Sequence, residues 1–265
     1  MNLQKLKYVG LILFLSYPLN SSATVVLENY KNTNEVTIKI VNEIKNEDIV
    51  EFKNALEKIE TEKKILHMNS IQLNSIGGSG TAGQEIGRLI RSKRLNTYIA
   101  KKSQCNSACV YILMGGVIRY PFGKVGVHRT TFTKGFEIDD SETEMFIKYN
   151  IKQTKAYAES MGMTNQLVDA ILNTESWKIR NIDEKEKREW QVFGTDRLTE
   201  ERLFTSIAKE MKIERDNYIS IFRTNYTDCL DDARNFERTI YDCAKTRKVK
   251  VNYWNVLRMV IYGAY

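Results

Sequence analysis

The chain has 265 residues, 42% of them apolar and 28% charged, with a formal net charge of +7. That length carries one sizeable core plus a smaller appendage, and the composition is that of an ordinary soluble globular protein rather than a disordered one. Basic residues are scattered among acidic ones with no clustered tract, which argues against nucleic-acid binding. Two prolines provide no Pro-rich linker, and neither an internal repeat nor a low-complexity segment is present.

Lys5 and Lys7 precede the apolar run Tyr8–Leu15, and Ser21-Ser22-Ala23 supplies small residues after it. This pattern reads as a secretory signal peptide over residues 1–23, cleaved after Ala23, giving an exported (periplasmic or secreted) protein. An uncleaved N-terminal anchor is the alternative, and no other run is long enough to cross a bilayer. Removing the two lysines takes the formal charge from +7 to +5.

Val36–Val41 alternates and is rich in β-branched residues, predicting the first core strand. Residues 46–63 carry a helical stripe (Ile49, Phe52, Leu56, Ile59) with Asn46 as its cap. An apolar run from Ile65 to Leu73 predicts a second strand. It ends in a turn with Gly77, Gly78 and Gly80, and a helix follows to about Arg94. Glycines there permit positive φ and bring bare N–H groups close to a bound group, while a helix start adds partial positive charge, so the turn suits a negative oxygen. No Gly-Lys-Ser/Thr follows and the spacing is not Gly-x-Gly-x-x-Gly, which disfavours a nucleotide; an ordinary tight turn is the competing reading. Leu95–Ala100 predicts a third strand. Alternating strands and helices imply a mostly parallel sheet covered by helices.

Ser103-Gln-Cys-Asn-Ser107-Ala-Cys109 opens an apolar helix, placing the Ser107 hydroxyl in the field of a helix N-terminus, unless it serves merely as a cap. His128 closes the short strand Gly123–Val127; the other histidine is His67. A strand histidine is commonly just a satisfied core residue, but the order of parts matters. Acyl transfer needs a hydroxyl nucleophile, an imidazole to take its proton, and N–H donors for the oxyanion. All four cysteines follow the signal segment, and they allow three pairings. Cys105 and Cys109 are within reach of one another around a turn. Cys229 and Cys243 are 243 − 229 = 14 residues apart, roughly 21 Å on one unbroken helix, so their pairing needs a fold-back. Free thiols are the alternative for both pairs.

Asn74-Ser-Ile-Gly-Gly-Ser-Gly-Thr-Ala-Gly83 resembles the glycine turn of the Clp protease proteolytic subunit, Asn-Ser-Pro-Gly-Gly-Ser-Val-Thr-Ala-Gly. Ser107 and His128 follow in that family's order and at similar spacing, and Trp190–Asp196 is similar to its Tyr-Gly-Leu-Val-Asp segment. Cys105-x-Ser107-x-Cys109 with Gly126-Val-His128 is similar to exported Clp-protease-like proteins of uncharacterised role. The resemblance implies an α/β fold, a ClpP/crotonase-like spiral of ββα units over residues 24–197, with a helical C-terminal appendage over 198–265. It also implies Ser107 as nucleophile, His128 as base, the N–H groups of Gly78 and Ala108 as oxyanion hole, and Gly77 and Gly80 as turn-shaping residues. The third catalytic member falls on Glu175, with Asp183 and Asp140 as alternatives. Ile76, Gly80, Asn106 and Arg129 depart from the family's usual residues, but none removes a reacting atom.

The resulting expectation is an exported serine hydrolase acting on peptide or protein substrates, without cofactor or metal. It forms a possible homo-oligomer and needs no ATPase partner outside the cytoplasm. A catalytically weak or inactive scaffold or binding protein of the same fold in the cell envelope, and a crotonase-like thioester-binding protein, are the rival readings. The aromatics Tyr253, Trp254 and Tyr262 near the C-terminus read as packing residues.

Overall fold

A computed structural model describes residues 24–130, 140–195 and 197–220. The signal segment, Cys229, Cys243 and the rest of the C-terminal appendage from residue 221 on lie outside these residues, as does the side chain of Asp140. No helix among the described residues is long and apolar enough to cross a membrane.

The elements run β1 (Val25–Asn29), β2 (Glu35–Ile44), α1 (Asp48–Thr61), β3 (Ile65–Gly78), α2 (Gly80–Ser92), β4 (Asn96–Ile99), β5 (Gln104–Asn106), α3 (Ala108–Gly115), β6 (Ile118–Pro121) and β7 (Lys124–Val127). They continue with α4 (Asp140–Ser160), α5 (Asn165–Asn173), β8 (Arg180–Asn181), α6 (Glu184–Glu189), β9 (Gly194–Thr195) and α7 (Arg197–Met211). The order β-β-α recurs along the chain, as expected.

The long strand β3 organises the nine-stranded sheet. It pairs in parallel with β2 over most of its length, with β4 through Ser70–Gln72, and further along with β5 through Ser75 and Cys105. Two rows of strands therefore leave it, β4-β6-β9 and β5-β7-β8. Parallel pairing dominates; β1, β8 and β9 are the antiparallel additions. Parallel ladders need crossovers, and helices α1 to α3 provide them.

Helix α3 is buried on every side, which its unbroken Ala-Cys-Val-Tyr-Ile-Leu-Met-Gly sequence permits. It packs against α2 at backbone distance: a Cβ on Gly83 would lie 2.4 Å from the Ala108 carbonyl oxygen. Its C-terminal carbonyls are met by two arginines. Arg91 donates to Met114 O, and the fully buried Arg119 donates to Met114 O and Gly116 O. Cations at a helix C-terminus satisfy orphan carbonyls and the helix dipole, and they leave the other end of α3 for the site. Lys187, also buried, ties the β6–β7 turn by donating to Pro121 O and Gly123 O at 2.9 and 2.7 Å. A second small cluster, Phe204, Ala208 and Tyr218, joins α7 to the helical residues 215–220 that follow it.

Several expectations are corrected. Asn46 does not cap α1, whose N-cap is Glu47; Asn46 Oδ1 accepts from Ser79 Oγ, and Asp48 accepts from Lys45 N–H at the same corner. Strand β3 does not stop at Leu73 but runs through Gly78, because its pairing with β2 continues that far, to Ile44 opposite Gly78. Helix α2 starts at Gly80, capped by Ser79, whose side chain accepts from Ala82 N–H at 3.2 Å.

Candidate active site

The glycine turn fixes one wall of the site. Gly77 and Gly78 have φ of +105° and +139°, a region that L side chains rarely adopt. A Cβ on Gly77 would stand 2.6 Å from Ser107 Cβ, and one on Gly78 would stand 2.1 Å from Ile44 O. Gly77 therefore abuts Ser107, while Gly78 abuts β2. Gly80 is different: it is helical, and its added Cβ would meet Tyr111 at an ordinary 3.7 Å. The left-handed positions in this turn are 77 and 78, not 80.

Ser107 stands between β5 and α3 with φ 54° and ψ −122°. For a residue with a side chain this is a strained conformation, costing about 1–3 kcal/mol. Three restraints hold it: Ser107 N–H donates to Gly126 O at 2.8 Å, Val110 N–H donates to Ser107 O at 2.9 Å, and a Cys105–Cys109 disulfide brackets it. The capping alternative does not hold. Ser107 is the N-cap residue by position, but its side chain makes no capping hydrogen bond. Ser107 instead lines a cavity of about 300 Å³.

His128 lines the same cavity. The β5–β7 register explains this: Asn106 pairs with Gly126, so the next residues along each strand, Ser107 and Val127, are neighbours, and His128 comes one step later. His128 Nδ1 lies 2.9 Å from the main-chain oxygen of Arg129. A carbonyl only accepts, so Nδ1 carries the proton and Nε2 of the neutral ring is left as an acceptor. Arg129 is itself anchored, its N–H donating to Thr174 O at 2.9 Å. No hydrogen bond joins the Ser107 hydroxyl to the imidazole among the described residues.

Glu175 follows Thr174 in that anchoring loop, but its carboxylate is neither bonded to His128 nor part of the described cavity lining. Asp183 caps α6 by accepting from Glu186 N–H at 2.8 Å. Ala108, the first residue of α3, joins Gly77, Gly78 and Gly80 in the lining. Six residues that sequence reasoning did not place there complete it: Glu43, Ile76, Tyr111, Val127, Thr130 and Ile171. Tyr111 is held from behind, its carbonyl accepting from the buried Tyr157 hydroxyl at 2.6 Å. Burial pushes that hydroxyl's pKa far up, so it stays a donor. Among the described residues, no group of His, Cys, Asp or Glu is placed to hold a metal ion.

No protein-family profile matches the chain, and no curated protein matches it either. Among solved structures it is similar to a serine-to-alanine mutant of the 1510-N membrane-bound stomatin-specific protease. The two share 19% identity over 62% of this chain and 79% of that one, with a TM-score of 0.43. It is also similar to an asparagine-to-aspartate mutant of ClpP1 from Listeria monocytogenes, at 19% identity over 59% of this chain and 88% of that one, again with a TM-score of 0.43. These are partial likenesses. The α/β class rests on the mostly parallel sheet and its helical crossovers described above.

Proposed function

We propose that the protein is a Ser-His hydrolase that cleaves peptide bonds through an acyl-enzyme at Ser107. The observation that carries this reading is an uncapped serine hydroxyl, on a strained backbone at a helix N-terminus, sharing one cavity with an imidazole whose proton is fixed on Nδ1. In the reaction, Ser107 Oγ attacks the scissile carbonyl carbon as His128 Nε2 takes the hydroxyl proton. The same nitrogen returns that proton to the leaving amine, and water then cleaves the ester.

The oxyanion would rest on two main-chain donors. Gly77 N–H is used by Ser75 Oγ and Ser79 N–H by Ile44 O, both on the β2 side. Strand alternation then turns the intervening Gly78 N–H toward the other edge, where Ser107 stands. Ala108 N–H belongs to the first turn of α3, where helix geometry leaves donors unpaired. The imidazole closes on the hydroxyl when substrate arrives, as catalytic hydrogen bonds commonly do.

Export belongs to the same proposal. A disulfide between Cys105 and Cys109 suits an oxidising compartment, in line with the signal-peptide pattern. A second reading, a binding scaffold with little chemistry, is favoured by one observation: a neutral carbonyl, not a carboxylate, faces His128 Nδ1. Fluorophosphonate labelling separates the two. Covalent labelling of the protein that is lost in Ser107→Ala supports the hydrolase; no labelling, under conditions where a known serine hydrolase reacts, supports the scaffold.

A further inference from the structure

We propose that Glu43 makes this cavity selective for a positively charged substrate side chain, that of Lys or Arg, beside the scissile bond; the proposal rests on the hydrolase reading. Glu43 and His128 are the only acidic and basic side chains in the described lining, in a chain whose net charge is +7. Glu43 pairs in register with Gly77, the glycine pressed against Ser107. Its strand position therefore lies one strand spacing, about 4.8 Å, from the wall of the reacting centre.

The backbone at this position is pinned, since Thr24 Oγ1 donates to Glu43 O at 2.9 Å. No ion pair or hydrogen bond uses the Glu43 carboxylate among the described residues. The rest of the cavity suits the stem of a long basic side chain. Ile76, Val127 and Ile171 give it aliphatic walls, and Lys and Arg lay their methylenes along such surfaces while the head reaches a polar partner. A volume of about 300 Å³ is at the small end for ligand sites, which suits one side chain rather than a folded segment.

The test uses two peptidyl diaryl phosphonates, identical except for a lysine or a norleucine side chain next to phosphorus, with Ser107 adduct formation followed by intact mass. The parent is expected to react faster with the lysine reagent, and Glu43→Gln to lower the lysine-to-norleucine rate ratio by about three- to tenfold. Glu43→Lys should lower it further. Equal rates for the two reagents in the parent, or a ratio unchanged in both variants, would overturn the proposal while leaving the hydrolase intact. If neither reagent modifies Ser107, the hydrolase reading itself falls and takes the selectivity with it.

Discussion

Replacing Gly77 and Gly80 by alanine, one at a time, should move stability in opposite directions although the two lie three residues apart in one turn. At Gly77 the backbone has φ +105°, and the new methyl would lie 2.6 Å from Ser107 Cβ and 2.8 Å from Asn106 O. Neither neighbour is the free end of a flexible chain. Strain of about 1–3 kcal/mol and overpacking of about 1–3 kcal/mol together predict a loss of about 2–6 kcal/mol. At Gly80 the backbone is helical and the nearest atom is 3.7 Å away, so alanine should gain about 0.4–1 kcal/mol by restricting the unfolded chain. Urea unfolding reads both: with a slope of about 2 kcal/mol/M, the Gly77→Ala midpoint should fall by about 1–3 M and the Gly80→Ala midpoint rise by a few tenths. Fluorophosphonate labelling should be lost in the first variant and kept in the second. A Gly77→Ala protein as stable as its parent, with Ser107 still labelled, would refute the close packing of turn and nucleophile.

Opening the disulfide by Cys105→Ala with Cys109→Ala should cost only about 2 kcal/mol, because the bridge closes a five-residue loop. Labelling at Ser107 should fall by more than that loss explains, since the bridge holds the strained turn; equal labelling in folded variant and parent would contradict this. Glu175→Gln should leave the labelling rate within about twofold, because Arg129 O, not this carboxylate, holds His128 Nδ1. A drop of several powers of ten would assign Glu175 the role of the third catalytic member. Burial raises the Asp48 carboxyl above its unfolded value of 3.8, mainly by desolvation, with the Lys45 N–H acting in the opposite direction. The folded protein thus holds this proton to higher pH than the unfolded chain. The group favours folding below the unfolded value, and that contribution is lost as pH rises through the folded one. The stability of Asp48→Asn relative to parent should therefore increase from acid toward neutral pH in urea titrations; a constant difference would contradict it.

The sequence showed most clearly the elements whose side chains face one way. Strand β2 alternates, α2 and α5 carry one apolar stripe, and α3 is apolar all round because it is buried all round. Strands β5, β6, β8 and β9, two to four residues long, are too short to show a period. Helix α4 was missed because Met145, Ile147 and Tyr149 are exposed and blur its stripe. Glycines 77 and 78 looked like the end of a strand, yet sheet pairing carries β3 through both. Ser107 and His128 were readable from order and spacing, and they share a cavity. Glu43 and Ile171 reach it through strand register and helix docking, which are non-local. The Arg129 carbonyl has no side-chain signature at all.

The structure of the fluorophosphonate adduct tests the central claim most directly. The account predicts phosphorus bonded to Ser107 Oγ, one phosphonyl oxygen at about 2.7–3.1 Å from the N–H groups of both Gly78 and Ala108, and His128 Nε2 turned toward the serine oxygen. An adduct on another residue, or a phosphonyl oxygen pointing to solvent with the two N–H groups bonded elsewhere, would contradict it.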